Sequence, residues 1–195
     1  MSRLLVLDTE TGGLDPEKFS LLSIGMVVLE GSELGASDEF FVAESELRCE
    51  PEAMAINGID IAHVRRVGLA PDQAVARLEA FLDFHFPSET QEFVPVAGHN
   101  VYFDVAFVRR LYRLAGRAAG PRFSHRLIDT AGILQFLAMA DLIPRAITDS
   151  SKAFRHFGVS FAHGQRHSAL ADASATARLL TEMIGLAKNP AQAPE

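Results

Sequence analysis

Three apolar runs open the chain, at residues 3–8, 21–30 and 38–43, each rich in Leu, Val, Ile or Phe and set off by turns containing Gly, Pro or Ser. Runs of this length and composition read as strands, and short turns between them give an antiparallel meander. Between residues 51 and 68 the pattern weakens into short helical pieces. Pro71 then opens a helix that runs to about residue 86, where Pro87 ends it; Pro is tolerated at a helix start because the N–H it lacks has no partner there. A short buried strand follows at 93–97. Asn100 caps a helix over 101–115 closed by Gly116, and a fifth strand at 126–128 leads into a helix over 129–140. Two more helices lie at 150–157 and about 169–187; in the second, Leu170, Ala173, Ala177, Leu180, Ile184 and Ala187 recur at three- and four-residue steps, which is one buried stripe. A meander followed by strands that alternate with helices predicts one α/β domain over residues 1–187. Its sheet is mixed and five-stranded, an antiparallel meander extended by two parallel strands and flanked by helices. Residues 188–195, with two prolines, are expected to be a disordered tail.

The chain is 48% hydrophobic and 22% charged, with a mean hydropathy of +0.13. Charges break its apolar runs every few residues, which excludes a collagen-like repeat, an intrinsically disordered chain and a helical membrane protein. The opening apolar stretch is too short for a secretory signal, and Cys49 is the one cysteine, so a cytoplasmic setting with a free buried thiol is expected. The net charge of −7 hides an asymmetry: residues 1–97 sum to −12 and residues 98–195 to +5. An acidic chain does not grip long nucleic acid through many phosphates, but a short, local grip stays open.

Asp8 and Glu10 end the first strand two residues apart, and the period of two puts both side chains on one face. A calcium loop starting at Asp8 fails, since its twelfth position, Phe19, is not an acid. Asp104 falls in the first turn of the helix that follows Gly98-His99-Asn100, at a strand's carboxyl end, where open α/β sheets build their sites. His167 and Asp172 would sit about 140° apart on one helix, so His167 must precede the helix that Ser168 caps. A zinc site at His163 and His167 is disfavoured, since no cysteines accompany the pair and its spacing is that of a flexible loop. Four acids gathered in one cleft would repel one another unless protonated or bound to cations. Hard carboxylate oxygens suit Mg²⁺ or Mn²⁺, and two such ions roughly 3.5–4 Å apart activate a water across a phosphodiester, with histidine as the base near neutral pH.

The stretches Asp8-Thr9-Glu10-Thr11-Gly12-Gly13-Leu14, Gly98-His99-Asn100-Val101-Tyr102-Phe103-Asp104 and His167-Ser168-Ala169-Leu170-Ala171-Asp172-Ala173 resemble, in order, the three motifs of the DEDDh exonuclease family. The resemblance spans nearly the whole chain. It is similar to the proofreading exonuclease subunits of bacterial replicative polymerases, and more distantly to ribonuclease T and oligoribonuclease. It implies a ribonuclease H-like fold, two Mg²⁺ (or Mn²⁺) ions, and release of nucleoside 5′-monophosphates from the 3′ end of single-stranded DNA or RNA, DNA being favoured. By the same resemblance Asp8, Glu10, Asp104 and Asp172 are metal ligands and His167 is the general base. Thr11, Gly12, Gly13 and Leu14 receive the terminal 3′-hydroxyl and wedge the last base; many relatives carry threonine where Gly12 stands. Glu52 and Asn57 resemble a substrate-lining segment that often has histidine at the second position. His99, Asn100 and Phe103 complete the expected substrate residues. A polymerase partner or a homodimer is compatible with the resemblance, and a membrane partner is not expected. The alternative is a non-catalytic module that binds a polymerase or a 3′ end.

Two repetitive features have plainer readings. Phe81 and Phe84, like Phe103 and Phe107, recur at helical spacing and read as core. Arg109, Arg110, Arg113 and Arg117 read as a solvated helix face, with no role assigned.

Overall fold

The computed structural model describes residues 3–89, 92–147, 149–161 and 168–189. Five strands, β1 (Arg3–Thr11), β2 (Leu21–Glu30), β3 (Glu33–Phe41), β4 (Val96–Gly98) and β5 (Ile128–Asp129), form one sheet in the order β3-β2-β1-β4-β5. The β1–β2 and β2–β3 pairings are antiparallel; β1–β4 and β4–β5 are parallel. The helices are α1 (Pro51–Asn57), α2 (Ile61–Val67), α3 (Pro71–His85), α4 (Val101–Leu114), α5 (Thr130–Met139), α6 (Ser150–His156) and α7 (Ala169–Lys188). This is the mixed, helix-flanked sheet that the chain's patterning predicts.

Alternation along β1 divides the molecule into two cores. Leu5 and Leu7 pack with Val75, Leu78 and Leu82 of α3 and with Val105, Val108 and Leu111 of α4. Val6, facing the other way, packs with Leu134, Phe154, Ala173, Leu180 and Met183 from α5, α6 and α7. The central strand is therefore buried on both faces, and any polar residue on it must be satisfied or functional.

Several expectations are corrected. The third strand begins at Glu33, because a Gly31-Ser32 turn starts the hairpin at once; its polar first half sits at the sheet edge, half exposed. The fourth strand is shorter than expected and starts at Val96: Val94 makes only an isolated bridge to Phe123, and Phe93 is exposed. Phe84 is 79% exposed, since α3 turns its 78/82 stripe inward and Phe84 outward. Arg110 is buried rather than solvated, paired with Glu44; Arg113 and Arg117 meet Glu17 and Glu79 at the surface. Cys49 is free and only half-buried. The part of the expected tail beyond Asn189 lies outside the described residues. No helix among the described residues is long and apolar enough to cross a membrane.

Candidate active site

Strand β1 runs on to Thr11, so Asp8 and Glu10 both stand on regular strand and share the α7 face. The register with β2 shifts between Glu10 and Thr11, an irregularity just past the second acid. Ser168 caps α7 as expected: its Oγ accepts the Ala171 N–H at 3.2 Å, which places Asp172 in the first turn. Carboxylate oxygens of Asp8, Glu10 and Asp172 then lie within 4.8 Å of one another. Two ends of the chain thus supply one acidic cluster.

Asp104 arrives from the other face. It sits in the first turn of α4, buried, and its Oδ1 accepts a 2.7 Å hydrogen bond from Thr9 Oγ1. Thr9 lies between Asp8 and Glu10, so alternation directs it toward α4 while they face α7. Asp104 is close enough to act on both Asp8 and Glu10 electrostatically. Asn100 holds the N-cap position in left-handed conformation (φ 57°) and makes no side-chain capping bond; instead its N–H donates to Asp129 Oδ1 at 2.9 Å.

Burial is the largest cause pushing the Glu10 carboxyl up to about 7, followed by repulsion from Asp172, Asp104 and Glu39. Asp8 is held well above the usual carboxylate range by burial and then by Asp104, Asp172, Glu10 and Glu39. Burial raises Asp104 to about 7 although the Thr9 hydroxyl bond favours its charged form. Among the described residues, the charged groups that raise Asp8 and Glu10 are carboxylates. Such a cluster of hard oxygen donors fits Mg²⁺ or Mn²⁺, which would replace protons as the compensating charge.

The segment after the first motif is tied down from within. Gly12 N–H donates to the Ser20 carbonyl at 2.8 Å, Glu50 N–H to the Gly12 carbonyl at 2.7 Å, and Thr11 Oγ1 to the Gly13 carbonyl at 2.9 Å. A Cβ on Gly12 would come 2.3 Å from the Arg48 carbonyl oxygen, so this packing demands glycine. Leu14 projects at 78% exposure. Asn57 is buried, its side-chain amide donating to the Thr11 carbonyl at 3.0 Å, so it braces the loop; Glu52 is exposed in the first turn of α1. Half-buried His99 pairs through Nδ1 with Thr130 Oγ1 at 3.0 Å, and burial lowers its pKa. Asn100 is exposed, and Phe103 is half-buried with its ring 4.9 Å from that of Phe107. His167 lies outside the described residues.

Two residues near the cluster escaped sequence reasoning. Thr9 was legible in principle, since period two sends it to the face opposite Asp8. Glu39, on β3, carries no motif, and only the β2–β3 register brings it near the acids.

The RNase_T family model, described as exonuclease, matches residues 5–180. Ribonuclease T of Yersinia enterocolitica is 27% identical over 186 residues, covering 92% of this chain and 83% of the relative. Among solved structures, the nuclease domain of 3′hExo, a DEDDh family member bound to rAMP, superimposes with a TM-score of 0.75 at 16% identity, covering 94% of this chain and 92% of that one. Escherichia coli exonuclease I in complex with a dA16 oligonucleotide gives 0.74 at 19% identity, covering 98% of this chain and 42% of the other. At these identities the structural likenesses speak to fold, and they agree on a ribonuclease H-like one.

Proposed function

This chain belongs to the exonuclease family, as a 3′–5′ exonuclease of the DEDDh type, and on that premise we propose that it releases nucleoside 5′-monophosphates from the 3′ end of single-stranded nucleic acid with two divalent cations. The observation that carries this reading is the convergence of Asp8, Glu10 and Asp172 within 4.8 Å, with Asp8 and Glu10 raised by neighbouring carboxylates. These three and Asp104 would hold the ions. When bound, Mg²⁺ or Mn²⁺ supplies an activated water and stabilises charge on the leaving 3′-oxygen. His167 takes the proton of the attacking water at its imidazole, a role its motif position suits. Exposed Leu14 packs against the terminal base, while the braced segment from Thr11 to Gly13 holds its backbone still for the 3′-hydroxyl. His99, Asn100, Phe103 and Glu52 line the approach of the strand.

Motif likeness to proofreading subunits makes DNA the preferred strand; the ribonuclease T relatives make RNA the competing one. Mononucleotide release from matched 3′-labelled DNA and RNA oligonucleotides decides between them. Asp8→Asn and His167→Ala should each abolish most release while circular dichroism stays native, and a circular single strand should remain intact. Binding of 3′ ends without products in Mn²⁺ would instead identify a non-catalytic module. Light scattering of the purified chain, alone and with a polymerase, tests homodimerisation and polymerase association.

A further inference from the structure

Asp8 pairs across the sheet with Gly25, and Gly25 with Glu39. Residues in one cross-strand row point to the same face, so two carboxylates stand toward α7 on either side of a position without a side chain. The first turn of α7 fills that gap. A Cβ on Gly25 would lie 2.1 Å from the Ala169 carbonyl carbon and 2.3 Å from the Leu170 nitrogen, so the helix start rests directly on strand backbone. The Leu170 N–H is one of the donors that a helix start leaves without an intrahelical partner, and it donates to Glu39 Oε1 at 3.1 Å. Ser168 Oγ takes the next N–H, that of Ala171. The turn that carries Asp172 is therefore held from two directions, from its own cap and from the sheet edge.

Glu39 adds a negative charge to a cluster that already repels itself, acting on both Asp8 and Glu10. Its place is explained by reach. From β3, a side chain must span to the helix start, accept a hydrogen bond there, and face the positive end of α7.

We propose that Glu39 is a positioning residue for the acidic site: by accepting the Leu170 N–H it seats the first turn of α7 on Gly25 and so sets how closely Asp172 approaches Asp8 and Glu10. The inference rests on the reading of those three acids as metal ligands. It requires the length and the oxygen acceptor of Glu39, not its charge.

Glu39→Gln and Glu39→Asp separate these properties, because the amide keeps length and acceptor without charge, while the shorter acid keeps charge and acceptor without the reach to Leu170. Mn²⁺ titration by calorimetry should show roughly tenfold weaker binding for Glu39→Asp, the size of change that outer-sphere partners produce, and binding within about threefold of wild type for Glu39→Gln. The kcat for an oligonucleotide should follow the same order, with KM nearly constant. The opposite order would assign Glu39 to charge or direct ligation and overturn the proposal; equal impairment, or no impairment in either, would overturn it as well. Wild-type protein that takes up no Mn²⁺ would defeat the metal reading itself, and this inference with it, whereas intact wild-type binding with unaltered variants would defeat the inference alone. Gly25→Ala, folded by circular dichroism, should weaken Mn²⁺ binding by at least as much as Glu39→Asp; unaltered binding would contradict the seating role.

Discussion

Buried Glu44 and the half-buried Asp8 cluster are acids handled in opposite ways. Glu44 lies under the loop that follows the first motif, where both guanidinium nitrogens of Arg110 reach its two oxygens, Ser20 Oγ donates at 2.9 Å and the Leu21 N–H at 3.1 Å. Four donors surround one carboxylate, and the pair fastens α4 to the segment that holds Gly12 and Ser20. Asp8 and Glu10, by contrast, are repelled by Asp104, Asp172 and Glu39, and burial and repulsion drive both toward the protonated form. The same chain that completes a buried charge in one place leaves it incomplete in another. A buried carboxylate with its own arginine is structural; one surrounded by carboxylates has its compensation supplied from outside.

Substitutions should separate the two regions. Asp8→Asn is expected to lower kcat by roughly a thousandfold or more, since metal-borne charge stabilisation is worth several kcal/mol, while leaving thermal stability unchanged or raised. Glu44→Ala should do the reverse: it strands a buried guanidinium, costing about 3–5 kcal/mol in denaturant melts, with kcat largely kept at low temperature. Pairing Arg110→Met with Glu44→Gln should restore much of that stability, because the amide oxygen still accepts from the Leu21 N–H while its NH2 can donate to the Ser20 hydroxyl oxygen. Loss of stability in Asp8→Asn comparable to that in Glu44→Ala would erase the distinction.

The pH response sharpens it further. Glu10 and Asp104 rise to about 7, so the folded chain keeps protons that the unfolded chain sheds near pH 4. Folding therefore takes up protons between about pH 4 and 7, and stability from these groups is present below that window and lost as pH rises through it. Scanning calorimetry of the metal-free protein should show Tm falling across the window, and Mn²⁺ at pH 8 should restore it. The smallest effect is expected for Thr9→Val. Removing the hydroxyl that favours charged Asp104 should cut kcat about tenfold and move the acid limb of the pH–rate profile to higher pH, with little change in stability.

Much of the site was legible residue by residue. Period two on the first strand put Asp8 and Glu10 on one face, and the Ser168 cap set Asp172 in a first turn. The strand end before Asp104 marked where a site would form. Phe84 and Arg110 were misread for a common reason: helical spacing shows which residues share a face, not which face meets the sheet. Asn57 and Thr9 bind within the protein, to Thr11 and Asp104, in contacts between segments that no local pattern relates.

Glu39 marks the boundary between the two kinds of information. Counting back from the Gly31-Ser32 turn, where Glu30 pairs with Glu33 and Leu29 with Leu34, would set Asp38 opposite Gly25. The register shifts between Val27 and Leu29, so Glu39 takes that place, while Asp38 turns to Arg77 on α3. The sequence by itself determined the strand and helix order, the paired acids and the capped helix, because each follows from periods and end groups within a few residues. Only the tertiary structure decided which acids meet and which side chain holds them, because one bulge reverses the faces of a strand and its position depends on packing across the whole sheet.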